Sequence, residues 1–269
     1  MSDTAPNRPL RWNAFDTGQY LSARSEVVDF DADGDRIHGL LAQPTEATPR
    51  PGIVLLHHVY GWDEFYWEAA ERLARHGYDV ICPDLYCRYG HGEPRAIADR
   101  VAGQGGVHDD AVVGDCAAAA ETLRRLPTND GRVVIMGACS GGRHALLAAS
   151  LTPGWAGVID FWGGRVVEDP QDISSARPVA PIAYTERLSA PVLGVFGVDD
   201  INPSLEQVAV HEAELKRLGK DYEFHRLTGA GHGFFHYHQA RYKAEPALAA
   251  WDLAFGFLAA RLPSVGRVT

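Results

Sequence analysis

Residues 133–149, VVIMGACSGGRHALLAA, set a β-branched run against a glycine-bracketed turn and then an apolar helical run. A strand that becomes a helix through Gly137-Ala138-Cys139-Ser140-Gly141 must turn sharply, and the two glycines remove side chains that would collide there. Such a turn lifts its middle side chain, the Cys139 thiol, to the carboxyl end of a sheet. The helix that follows points its N-terminus at the same place, which favours a thiolate and leaves the Ser140 N–H free to donate to an oxyanion. A buried structural cysteine before a helix is the plainer reading of the same residues. Ser140, one position past the apex, is a second candidate nucleophile.

The flanking sequence fits that demand. SEVVDFDADGDRIHGLLAQP predicts strands at 25–30 and 36–42, joined through 31–35 as an antiparallel hairpin. From Pro51 onward strands and helices alternate. PGIVLLHH reads as a strand buried on both faces, DEFYWEAAERLARHG as a helix stopped at Gly77, and YDVICPDLY as a strand. A helix over 107–126, the GRVVIMG strand and the GGRHALLAAS helix follow, then strands at GVIDFWG and PVLGVFG. A helix at SLEQVAVHEAELKRLG, a strand at DYEFHRL and a closing helix complete the pattern. The expectation is an α/β class chain: a mostly parallel sheet with helices on both faces. Residues 1–22 read as a surface extension, 23–269 as one domain, and the Gly-rich stretch 86–106 as a long loop.

Composition narrows the function classes. A formal net charge of −10 argues against nucleic acid, whose binding depends on Lys and Arg neutralising phosphates. No apolar run approaches a membrane span, and the N-terminal residues lack a signal-peptide pattern. The four cysteines, at 82, 87, 116 and 139, show no paired metal-ligand spacing. A cytoplasmic chain with reduced thiols is expected, with no metal and no cofactor.

An activated cysteine needs a base, and the base needs an orienting carboxylate. Behind such a turn the chain order is nucleophile, acid, histidine. PVLGVFG-VDD supplies Asp199 and Asp200 directly after a strand, with Asp200 favoured by its place relative to Gly197. DYEFHRL-TGAGHGFF supplies His232 in the loop after the last strand, with His236 and His238 further on. All these groups fall at one end of the sheet.

Taken together, HHVYG, GYDVICPDLY, GACSGG, the Asp of GVDDINP, and GAGHGF resemble the dienelactone hydrolase family, in family order and over residues 51 to about 260. The resemblance implies an α/β-hydrolase fold and cleavage of a small ester or lactone, through a thioester on Cys139 with Asp200 and His232. It also implies an oxyanion hole from the Val59 and Ser140 N–H groups. Two departures stand out. His58 occupies the position of a family Glu that meets the thiol, so an imidazole is expected beside Cys139, able to take its proton. His236 occupies the position of an Arg that helps hold a substrate carboxylate. A neutral or bulkier substrate is therefore expected, with Arg143, Arg165, Arg95 and Arg100 as possible replacements for the lost guanidinium. The cluster Tyr60, Trp62, Phe65, Tyr66 and Trp67 offers pocket-wall candidates, with Trp162 and Phe234. Packing of a helix on the sheet is the alternative reading for each. Acyl transfer to an amine or alcohol, and ligand binding without turnover, are the rival functions. The oligomeric expectation is a monomer or small homo-oligomer.

Overall fold

Strands β3 (Arg50–Leu56) and β5 (Asn129–Ala138) pair in parallel at the centre of one eight-stranded sheet. Every residue of β3 is buried, as a strand covered on both faces requires. The computed structural model describes residues 20–168 and 170–262. The other strands are β1 (Ala23–Ala32), β2 (Asp35–Pro44), β4 (Asp79–Pro83), β6 (Gly157–Phe161), β7 (Val192–Gly197) and β8 (Tyr222–Leu227). Their order is β1-β2-β4-β3-β5-β6-β7-β8, parallel from β4 to β8, with β2 antiparallel to both β1 and β4.

Alternation along β5 shows how the two faces are covered. Val134, Met136 and Ala138 join one core with α1 (Glu64–Arg75) and α6 (Ala244–Arg261). Val133 and Ile135 join the other with α3 (Asp109–Arg124) and α4 (Ser140–Leu151). Each fully buried aliphatic side chain in these layers contributes about 1.5–3 kcal/mol. Helix α5 (Leu205–Arg217) follows β7. Among the described residues no helix is long and apolar enough to cross a membrane.

Two local expectations change. The hairpin turn is only Asp33-Gly34, both with positive φ (55° and 89°), so the strands extend closer to the turn than 30 and 36. Asp-Gly matches the backbone twist of the flanking strands in such a two-residue turn. The stretch 86–106 is not a structureless loop: it holds a short 3-10 turn at Cys87–Tyr89 and helix α2 (Pro94–Gly103). Pro94 starts α2 at a position where a missing N–H costs nothing, and only Ala98 and Val101 are buried from it. So small an apolar stripe gives a weak periodic signal. The expected surface extension, apart from residues 20–22, lies outside the described residues. At its end Leu21 N–H donates to the Arg75 carbonyl oxygen at 3.0 Å.

Candidate active site

The turn between β5 and α4 carries Cys139 at φ 57°, ψ −122°, a conformation that side chains rarely adopt. Positions 137, 141 and 142 around it must be glycine. A Cβ on Gly137 would lie 2.4 Å from the Gly141 carbonyl carbon, and one on Gly141 would lie 2.4 Å from the Leu56 carbonyl oxygen. A Cβ on Gly142 would meet Asp160 Oδ1 at 2.2 Å. The Cys139 N–H donates to the Phe161 carbonyl oxygen at 3.0 Å, which fixes the turn against β6. The side chain remains partly exposed.

His232 and Asp200 arrive from adjacent loops pressed together. Asp199 N–H donates to the Ala230 carbonyl oxygen (2.9 Å), and a Cβ on Gly197 would lie 2.2 Å from that same oxygen. Only a glycine at the end of β7 lets the loop after β8 come this close. His232 Nδ1 is 3.0 Å from Asp200 Oδ2, and His232 Nε2 is 3.1 Å from Cys139 Sγ. Asp200 Oδ1 also accepts from the Asn202 N–H at 2.8 Å, which holds the carboxylate in place. Asp199 is exposed and Asp200 buried, so Asp200 is the carboxylate that reaches the imidazole. Burial disfavours charge on His232. The Asp200 carboxylate and the Cys139 sulfur outweigh it and hold the imidazole pKa up at about 10.

The chain after β3 forms the facing wall. Among the described residues, neither the Val59 nor the Ser140 N–H donates to a backbone carbonyl. The loop from His58 to Asp63 is braced from three sides. Gly61 N–H donates to the His58 carbonyl oxygen (3.0 Å), Tyr86 Oη donates to the Val59 carbonyl oxygen (3.0 Å), and His58 Nε2 lies 2.7 Å from Asp63 Oδ2. His57 sits behind it, fully buried. Its Nε2 accepts from the Leu85 N–H (3.1 Å), which leaves Nδ1–H to donate to the His58 carbonyl oxygen (2.8 Å). Burial pushes its pKa down and keeps it neutral.

His58 therefore differs from expectation. It makes no hydrogen bond to the thiol; its Nε2 is committed to Asp63, and its ring packs on His236 at 4.5 Å between centroids. Asp63, the first residue of the DEFYWEAAERLARHG run, is the partner that sequence reasoning missed. It precedes α1 without capping it, so its carboxylate is left for His58.

The aromatic candidates divide. Tyr60, Trp62 and Trp67 line an open hollow of about 710 Å³ beside this loop. Phe65, Tyr66, Trp162 and Phe234 are buried in the core, the last two with rings 4.5 Å apart. Trp162 and Phe234 thus offer no surface to a ligand: both are fully buried, with Phe161, Phe235 and His236 packed around the Trp162 ring. His236 is buried as well, at 2% exposure, between His58 and Phe65. None of the four arginines takes the place of the missing fork. Arg143 is buried in a bidentate pair with Asp109 (2.6 and 3.0 Å), Arg165 pairs with Glu168, Arg95 with Asp99, and Arg100 donates to the Tyr89 carbonyl oxygen.

The geometry agrees with what sequence comparison shows. Residues 37–262 match the model of the Dienelactone hydrolase family. A protein of Methylorubrum extorquens named "Putative carboxymethylenebutenolidase" is 31% identical over 214 residues, covering 78% of this chain and 72% of that protein. A Bradyrhizobium protein named "Probable 2-oxo-3-(5-oxofuran-2-ylidene)propanoate lactonase" is 27% identical over 233 residues, covering 84% and 90%. The crystal structure of a "Putative Dienelactone Hydrolase" from Klebsiella pneumoniae superimposes with a TM-score of 0.81 at 25% identity, covering 88% of this chain and 99% of that one. An eight-stranded α/β sheet, a cysteine at its sharpest turn and a family match that spans nearly all the described residues give one result: the chain belongs to the dienelactone hydrolase family.

Proposed function

We propose that this chain is a cysteine-dependent hydrolase of small, uncharged esters or lactones, working through a thioester on Cys139. The observation that carries the reading is the continuous link from Asp200 Oδ2 through the His232 imidazole to Cys139 Sγ, with contacts of 3.0 and 3.1 Å. An imidazole held between a carboxylate and a thiol can accept the thiol proton and keep the resulting cation.

In the first step the Cys139 sulfur attacks the carbonyl carbon and forms a C–S bond. Charge develops on the carbonyl oxygen, where the Val59 and Ser140 N–H groups are free to donate. The C–O bond to the alcohol breaks as His232 Nε2–H gives its proton to that oxygen. A water molecule then attacks the thioester while His232 takes its proton. The C–S bond breaks, the sulfur leaves as thiolate, and the acid is released. Asp200 keeps Nδ1 protonated so that Nε2 faces the sulfur in both steps.

His236 stands buried at the position of the family Arg, and Arg143, Arg165 and Arg100 are each engaged elsewhere, which supports an uncharged substrate over a carboxylate-bearing lactone. Hydrolysis of p-nitrophenyl acetate and of neutral lactones tests the reading. Cys139→Ala should abolish turnover, and His232→Ala should lower kcat by about 10²–10⁴. Turnover of Cys139→Ala equal to the parent protein would refute it.

A further inference from the structure

The hollow beside Val59 has an unusual combination of walls. Its lining combines the aromatic rings of Tyr60, Trp62 and Trp67 with the carboxylates of Asp63, Glu64, Glu68 and Glu93. Resting on the hydrolase reading for its substrate, we propose that this hollow binds an organic ammonium group and makes the enzyme select cationic esters.

Three features support a cation there. The indoles of Trp62 and Trp67 meet edge to face, 5.8 Å between centroids at 79°, and Trp67, which lines the hollow, is 40% exposed. Aromatic faces attract ammonium groups through their negative quadrupole. One wall already carries a cation: the Arg95 guanidinium lies 4.7 Å above the Tyr60 ring. That guanidinium is balanced by Asp99 at 3.3 Å.

The remaining charge is negative. Asp63 is matched to His58 at 2.7 Å, and Glu64 faces His238 at 3.5 Å. Among the described residues Glu68 and Glu93 form no ion pair, and both are exposed. Two uncompensated carboxylates in an aromatic lining attract a cation and repel a carboxylate. A volume of about 710 Å³ is ample for a trimethylammonium group on a short chain.

Position ties the hollow to the chemistry. Tyr60 follows Val59 directly, and its ring meets His58 at 5.0 Å. The hollow thus borders the same 58–63 loop that carries the Val59 N–H. On the proposal, the part of the substrate beyond the scissile bond reaches it across that loop.

Two measurements test this. Calorimetric titration of the wild-type protein with benzyltrimethylammonium and with benzoate should show the cation bound at least about tenfold more tightly at low salt. That preference should fall at least about fivefold in the Glu64→Gln/Glu68→Gln/Glu93→Gln variant and in Trp67→Ala, each verified as folded by circular dichroism. In parallel, wild-type kcat/KM for acetylthiocholine should exceed that for its uncharged isostere, 3,3-dimethylbutyl thioacetate. Equal or tighter benzoate binding, which would assign the hollow to anions through Arg95, would overturn the proposal. So would a cation preference that survives the triple substitution, or equal turnover of the two thioesters. Cation binding without hydrolysis of p-nitrophenyl acetate or either thioester would support the site and refute the hydrolase reading instead.

Discussion

His58 and Asp63, five residues apart, close the loop between β3 and α1 with an imidazole–carboxylate contact of 2.7 Å. Val59 lies inside that closure, its carbonyl oxygen held from the other side by Tyr86 Oη at 3.0 Å. In the proposed mechanism the pair would act by fixing the direction of the Val59 N–H. Asp63→Ala is expected to lower kcat for p-nitrophenyl acetate by about tenfold or more, with KM changed by less than about twofold and little change in melting temperature. Asp63→Asn, which keeps an acceptor, should fall between. A parallel rise in KM would assign Asp63 to substrate binding instead.

The four thiols should differ sharply in reactivity. Cys82 and Cys116 are fully buried, which pushes both thiols well up, and burial pushes Cys87 up to about 11. Cys87 and Cys139 are both partly exposed, and of the two it is Cys139 that has an imidazole nitrogen 3.1 Å away. Iodoacetamide at neutral pH is expected to label Cys139 first, and His232→Ala should slow that labelling by about tenfold or more. Peptide mapping by mass spectrometry reads both outcomes.

Gly141 and Gly256 make a matched comparison. A Cβ at Gly141 meets the Leu56 carbonyl oxygen at 2.4 Å, an atom that moves only if β3 moves. A Cβ at Gly256, inside α6, meets nothing within 4 Å. Gly141→Ala should destabilise by about 1–3 kcal/mol or more, whereas Gly256→Ala should stabilise by about 0.5–1 kcal/mol. Urea denaturation of the two variants decides it.

Asp160, the penultimate residue of β6, lies against Gly142 at the Cys139 turn. Its Oδ1 accepts from the Gly163 N–H at 2.6 Å, while Oδ2 is buried without a partner. Burial raises its pKa to about 7, partly offset by the Gly163 hydrogen bond. The folded state therefore holds a proton that the unfolded chain, with a pKa near 3.8, has already lost. The sign follows from linkage: this stabilisation is full below about pH 4 and fades as pH rises through about 7. Melting temperature from pH 4 to 8 should carry that downward component in the wild-type protein, and Asp160→Asn should remove it.

How much of this could be read from sequence depends on what kind of signal each feature leaves. The turn at Cys139 is written in consecutive residues, because glycines at 137 and 141 are the only ones that clear the Gly141 and Leu56 carbonyls. Asp200 and His232 each follow a strand that ends at the same rim, so parallel topology alone puts them near one another. Helix α2 left little trace because it buries only Ala98 and Val101. The fate of the aromatics was not legible, since Tyr66 and Trp67 are neighbours on α1 and one turns into the core while the other faces solvent. Nor was the pairing of His58, because a side chain placed near a thiol can still be drawn away by a carboxylate five residues further along the same loop.

Rapid-quench mass spectrometry of the wild-type protein mixed with p-nitrophenyl acetate tests the nucleophile most directly. The expected product is one acetyl group on the peptide that contains Cys139, localised to the sulfur, formed with the burst of p-nitrophenol and absent from Cys139→Ala. An acetyl group on Ser140, or undiminished turnover with Cys139 unmodified, would contradict it.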